Sequence, residues 1–187
     1  MSVSAIFLDL DEVLADWLTP TLRLLGRDPE QAVVEWAELS PRPWDVFEAL
    51  GMSANKAWSA IDNAGAEHWA NLPLHPWSLQ LYSRCNLIAP TYLLTSPSLS
   101  PSCAAGKVEW IQRHFGKDFR DFLIGPAKVA CARPGAVLID DSPINCRKFI
   151  GAGGGAILFP GLGNDLHTQR KAPLIHVHAA LAEHTRS

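Results

Sequence analysis

Asp9-Leu10-Asp11 closes the first apolar run of the chain. That run, Val3-Ser4-Ala5-Ile6-Phe7-Leu8, is short and almost continuously hydrophobic, the pattern of a strand covered on both faces of a parallel sheet. Ligands of open α/β sheets gather outside the carboxyl ends of the strands. Two acids at that point therefore mark an edge where chemistry is expected. The arrangement returns far downstream, where Gly135-Ala136-Val137-Leu138-Ile139 runs straight into Asp140-Asp141. Four carboxylates brought to one edge raise each other's pKa, and burying them unpaired is costly. A hard, oxygen-seeking cation such as Mg²⁺ resolves the conflict.

Between these acid pairs, strand and helix patterns alternate, which predicts an α/β fold. Thr91 to Leu94, Phe119 to Ile124, Val137 to Ile139 and Ala156 to Phe159 are the further strands. The expected architecture is a Rossmann-like parallel sheet of about five strands with helices on both faces. Val108, Ile111 and Phe115 share one face of a helix that Gly116 stops. Ser142-Pro143 offers an N-cap and a first-turn proline for a helix ending at Gly151, and a closing helix is expected over His176 to His184. From Thr19 to Pro76 no convincing strand occurs, while Trp36, Trp44, Trp58 and Trp69 crowd the segment. We read residues 17–76 as a small helical cap inserted after the first strand, and residues 1–16 with 77–187 as the core domain.

A chain of 187 residues, 48% hydrophobic and 19% charged, can bury a real core. The net charge is −3 and no Lys/Arg run occurs, so the footprint of a long nucleic-acid binder is missing. Cys85, Cys103, Cys131 and Cys146 form no Cys-x-x-Cys pair, which argues against zinc and for reduced thiols in a cytoplasmic protein. The first apolar run lacks a basic flank and is cut at Asp9, so neither a signal peptide nor a membrane span is expected there.

The predicted strand ends and loops supply Asp9 and Asp11, then Thr95 and Ser96, then Lys128, then Asp140 and Asp141. Carboxylates hold Mg²⁺, and one can attack phosphorus. A second carboxylate can protonate a leaving oxygen and later activate water. A hydroxyl, a backbone N–H and an ammonium can stabilise phosphoryl charge. These residues resemble the haloacid dehalogenase-like hydrolases, and most closely the 5′(3′)-deoxyribonucleotidases. The likeness lies in Asp9-Leu-Asp-Glu-Val-Leu-Ala-Asp-Trp17, in Leu94-Thr-Ser-Pro97 with Lys107-Val-Glu-Trp-Ile-Gln-Arg-His-Phe-Gly116, and in Leu138-Ile-Asp-Asp141. It implies a Mg²⁺-dependent phosphomonoesterase for nucleoside monophosphates. By that resemblance Asp9 is the nucleophile and Asp11 the acid/base. The metal falls to Asp9, the Asp11 carbonyl and Asp141, with Asp140 beside them. Phosphate falls to Thr95, Ser96, Lys128 and Lys107, and base or sugar to Trp17, Trp44 and Trp58. A homodimer is allowed.

Three positions depart from that family. Glu12 stands in place of a glycine, and Pro126 and Ser142 stand in place of arginines. Less positive charge at the phosphate end implies low affinity and a wide substrate range, so a non-nucleotide phosphomonoester is the alternative. A receiver-like module also carries an acid pair, Thr and Lys, but there no acid pair follows the lysine. A dead binding module is disfavoured by the intact Asp9, Asp11, Thr95, Lys128 and Asp141.

Overall fold

β1 (Ala5–Leu8) is buried along its whole length. Its side chains alternate across the sheet. Ile6 and Leu8 enter the larger hydrophobic cluster, and Ala5 and Phe7 the smaller one, with Leu138 and Phe149. Each large side chain so buried contributes about 1.5–3 kcal/mol. In this computed structural model, which describes residues 2–186, β1 is the centre of a five-stranded, all-parallel sheet of order β3-β2-β1-β4-β5. The other strands are β2 (Thr91–Thr95), β3 (Phe122–Ile124), β4 (Ala136–Asp140) and β5 (Gly155–Leu158). Leu8 pairs with Leu93 on one side and Ile139 on the other. That register brings Asp9, Thr95 and Asp140 to the same carboxyl edge.

The expected α/β sheet is what the chain forms, with two strands shorter than their apolar runs. β1 begins at Ala5 rather than Val3, because the Ser4 N–H turns to the Gly135 carbonyl at 2.8 Å. The third strand begins at Phe122 rather than Phe119. Phe119 instead packs its ring against Tyr82 and Phe115, 6.0 and 5.1 Å away. Of the predicted helices, α6 (Pro101–Phe115) ends at Gly116, whose φ of 104° suits glycine. The Ser142 hydroxyl caps α7 (Pro143–Gly151) by accepting from the Asn145 N–H, and α8 (Pro173–Arg186) closes the chain.

Between β1 and β2 lie five helices: α1 (Leu18–Leu24), α2 (Pro29–Glu38), α3 (Val46–Ala49), α4 (Ala54–Ala70) and α5 (Ser78–Asn86). α4 is kinked at Gly65, where φ is 70°, and packs along α6. Gly106 on α6 makes this approach feasible, since a Cβ there would stand 2.3 Å from the Ala66 carbonyl oxygen. The Trp110 indole N–H donates to the Leu72 carbonyl at 2.7 Å, and Arg113 to that of Ala70 at 2.7 Å. α6 thus ties the inserted helices to the sheet.

Candidate active site

Lys128 is the hub of the first half of the site. It lies in a single 3₁₀ turn, 4% exposed, and its Nζ stands 2.7 Å from Asp9 Oδ1 and 2.6 Å from Asp140 Oδ2. Burial alone would depress the ammonium, but the two carboxylates outweigh it and hold it above the ordinary lysine range. Asp140 is held from every side. Its Oδ1 accepts from the Ser142 N–H at 2.8 Å, and the Asn145 amide donates to both oxygens. Burial and the charge of Asp9 still push Asp140 up to about 6. Asp9 is 7% exposed, and its Oδ1 also accepts from the Leu10 N–H at 2.8 Å. Its other oxygen accepts no hydrogen bond from the described residues.

Lys107 is the hub of the second half. The resemblance gives it to phosphate, although a lysine on an amphipathic helix is ordinarily solvated; the structure buries it to 2% exposure over the Trp69 ring. Its Nζ donates to Asp11 Oδ2 at 2.5 Å, to Thr95 Oγ1 at 2.7 Å and to the Ser96 carbonyl at 3.0 Å. All three donors of the ammonium are used. Because Thr95 Oγ1 accepts here, its own hydrogen is free to turn elsewhere. Asp11 Oδ1 is buried without a partner. Burial raises the Asp11 pKa, the pairing with Lys107 opposes this, and the charge of Asp9 adds to the rise.

Asp9, Asp140 and Asp141 each offer a carboxylate oxygen, and these atoms lie within 4.8 Å of one another. Burial, then the charges of Asp140 and Asp9, push Asp141 well above the carboxylate range. Asp9, Asp11, Asp140 and Asp141 face only Lys107 and Lys128 as ion-pair partners among the described residues. An all-oxygen donor set with surplus negative charge fits a hard divalent cation.

Asp11, Ser96 and Asp141 open onto a cavity of ≈ 650 Å³. All three expected tryptophans line it. Trp17 and Trp58 stack at 6.1 Å between centroids, and Phe47 meets both edge-on. Trp44 reaches the wall beside Gly163, where a Cβ would stand 2.7 Å from the Trp44 carbonyl oxygen. Trp36 and Trp69 complete the aromatic lining. Asp9, Thr95 and both lysines are buried and are not among the lining residues.

Several residues of the site carry no sequence motif. Asn145 orients Asp140. Asn164 knits the loop after β5: its amide donates to the carbonyls of Asp141 at 2.9 Å and Phe159 at 2.8 Å, and its Oδ1 accepts from Gly161 and Leu166. A lone Asn in the glycine-bearing stretch Pro160-Gly-Leu-Gly-Asn164 was the available signal. Glu12 has φ of 60°, which explains why a glycine suits this position. Its carboxylate accepts from the N–H groups of Trp17 and Leu18 at the start of α1, and burial lifts it to about 8.

A parallel sheet with acids, a hydroxyl and lysines in this order at its carboxyl edge has the architecture of the haloacid dehalogenase-like fold. Solved structures agree. A haloacid dehalogenase-like hydrolase, SP0104 of Streptococcus pneumoniae, matches with TM-score 0.58 at 18% identity, over 96% of this chain and 98% of its own. A Lactobacillus plantarum protein described as a phosphoglycolate phosphatase matches with TM-score 0.56 at 18% identity, over 90% and 92%. The hydrolase YfnB of Bacillus subtilis, solved bound to magnesium, matches with TM-score 0.53 at 12% identity, over 85% and 87%. No curated protein matches the chain significantly by sequence. Residues 2–173 match the family described as 5′ nucleotidase, deoxy (pyrimidine), cytosolic type C protein. The chain belongs to this family, whose members act on small phosphorylated substrates, and is a phosphoric monoester hydrolase.

Proposed function

We propose that the protein hydrolyses nucleoside monophosphates by a Mg²⁺-dependent route through an aspartyl-phosphate, an acyl phosphate on Asp9. One observation carries the reading: the acid edge and the tryptophan walls share a single cavity, with Asp11, Ser96 and Asp141 on one side and Trp17, Trp44 and Trp58 on the other. The free oxygen of Asp9 attacks phosphorus, and a P–O bond to Asp9 forms as the ester P–O bond breaks. Asp11, through its unpartnered Oδ1, gives a proton to the departing alkoxide. A water then attacks phosphorus while Asp11 takes a proton from it, the P–O bond to Asp9 breaks, and inorganic phosphate leaves. Lys128 holds Asp9 in place and offsets its charge. The Thr95 hydroxyl and the Ser96 N–H stabilise the phosphoryl oxygens, and Lys107, engaged by Asp11, Thr95 and the Ser96 carbonyl, holds these groups in place. We assign the metal to Asp9, Asp141 and the Asp11 carbonyl, and Asp140 to the orientation of Lys128, since both Asp140 oxygens already accept hydrogen bonds. When bound, Mg²⁺ supplies Lewis-acid neutralisation of the phosphoryl charge. The magnesium bound to YfnB and the three acids within 4.8 Å of one another support the choice of Mg²⁺.

Residues 17–76 act in this reading as a cap that supplies the walls. Stacking of a base on tryptophan contributes about 1–3 kcal/mol. A cytoplasmic location accords with the four free cysteines; no helix among the described residues is long and apolar enough to cross a membrane. The test is phosphate release from deoxynucleotides, ribonucleotides and sugar phosphates, with Mg²⁺ and with EDTA. Nucleoside monophosphates should be turned over with Mg²⁺, and chelation should abolish turnover reversibly. Nucleotides left untouched while sugar phosphates react would overturn the nucleotide reading.

A further inference from the structure

The cavity beside Asp11 has a charge pattern that stacking of a base does not require. Every ionisable side chain lining it is acidic: Asp11, Glu12, Asp45, Asp62 and Asp141. No Lys, Arg or His lines it. The two lysines beneath it are spent on Asp9, Asp11 and Asp140. Arg42 donates to the carbonyls of Trp36 and Ala37.

Asp45 and Asp62 belong to the inserted helices, not to the acid edge. Asp45 accepts from the Glu48 N–H at 2.9 Å as the cap of α3, and Asp62 from the Ser98 hydroxyl at 3.3 Å. Neither has an ion-pair partner among the described residues. The walls between them carry indole rings, Trp17, Trp44 and Trp58. An aromatic face is negative, and a cation within ≈ 6 Å of a tryptophan centroid is attracted to it. One such contact already exists at this site, Lys107 Nζ standing 5.2 Å from the Trp69 centroid. Carboxylates without ion-pair partners and half-exposed indole rings are separate features, and they call for one ligand chemistry: a small apolar group with a positive charge.

We propose a further activity at this site, hydrolysis of phosphomonoesters of small amino alcohols, with the ammonium end seated among Trp17, Trp44, Trp58, Asp45 and Asp62. The proposal rests on the Asp9 phosphate chemistry above and not on the nucleotide preference. The ester P–O bond breaks as the P–O bond to Asp9 forms, and the amino alcohol leaves with the Asp11 proton. Water then releases inorganic phosphate and returns a proton to Asp11. No oxidant or reductant enters. Asp45 and Asp62 disfavour an alcohol part that carries a carboxylate or a second phosphate.

Phosphocholine, its uncharged isostere 3,3-dimethylbutyl phosphate, phosphoglycolate and a set of nucleoside monophosphates decide the matter in one assay of phosphate release with Mg²⁺. The kcat/KM for phosphocholine should exceed that of the isostere by about tenfold or more, a difference within the range of one desolvated cation–π contact, and phosphoglycolate should be slowest. Combining Asp45→Asn with Asp62→Asn should bring the ratio of phosphocholine to isostere toward one. High salt should narrow it too, because the field is screened. A ratio of one or below for the unaltered protein overturns the proposal, and that measurement needs no variant to fold. Nucleotides turned over with no preference for the charged ester overturn this inference alone. No turnover of any ester overturns the Asp9 phosphate chemistry and this inference with it.

Discussion

At the acid edge, Lys128 and Asp140 are buried and Lys107 uses all three of its donors. Across the cavity, Trp44 and Trp58 are each 37% exposed, and the indole N–H groups of Trp17 and Trp69 are buried without a partner. The edge is assembled before any substrate arrives, as electrostatic preorganisation requires. The walls keep half-exposed rings, Trp44 and Trp58, for a ligand to cover. Changes at the edge should therefore cost chemistry or folding, and changes in the walls should cost selectivity.

The largest effect should come from Asp9→Asn. It keeps the shape of the side chain and removes the nucleophile, so turnover should fall by roughly 10³-fold or more while the circular-dichroism melt stays cooperative. Undiminished turnover in the folded variant breaks the assignment of the edge. Lys128→Met tests the edge by stability. It leaves Asp9 and Asp140 facing each other without a cation, and breaking a buried pair costs about 3–5 kcal/mol. A urea midpoint unchanged from the parent would show that the lysine is dispensable to the fold.

Gly106→Ala probes the joint between the two regions. The added Cβ meets the Ala66 carbonyl oxygen and Trp69 Cβ, and such overpacking costs about 1–3 kcal/mol. Since Trp69 and Lys107 both adjoin that joint, KM should rise along with the loss in Tm. Trp58→Ala isolates the walls. We expect kcat/KM for nucleotides to fall about tenfold, or about 1.4 kcal/mol, with a smaller loss on acetyl phosphate. Equal losses on the two substrates would make Trp58 part of the core and erase the contrast between edge and walls.

The smallest effect is on pH dependence. Burial lowers the pKa of His68, His75, His114 and His178 below the ordinary value of 6.5. The unfolded chain therefore binds protons that the folded chain refuses. The contribution of these rings is complete above about 6.5 and declines as pH falls below it. The raised Glu12 and Asp140 act with the opposite sign over the same range, so the rings are read by difference: His68→Gln should lose less stability than the parent between pH 7.5 and 5.5 in urea midpoints. Identical profiles for parent and variant would mean that the ring is solvated.

Much of the fold was legible locally. The runs that became β1, β2, β4 and β5 are apolar segments with their own terminators, and Ser142-Pro143 signals a helix start within three residues. Phe119 was not legible as a non-strand residue, because only its packing on Tyr82 and Phe115 decides against pairing. Of the site, the acids, Thr95 and Lys128 stand out by order. Lys107 does not, because a lysine on an amphipathic helix is solvated unless tertiary contacts bury it. Asn145 was illegible for the same reason, and Asn164 had only its glycine-bearing loop as a signal, since the value of both lies in carbonyls and carboxylates that other elements bring to them.

The sequence by itself determined an α/β sheet with acids at its carboxyl edge, because strand periodicity and the chemistry of Asp are local properties of the chain. Only the tertiary structure decided which cation meets which acid. β1 lies between β2 and β4, so Lys107 reaches Asp11 across 96 positions and Lys128 bridges Asp9 and Asp140. Only the tertiary structure, too, set the sign of the cavity. A net charge of −3 over 187 residues does not say where the charges go. Folding placed five acids and no basic side chain around the tryptophans, because long-range packing, which composition does not encode, assigns each charged residue to a wall or to solvent.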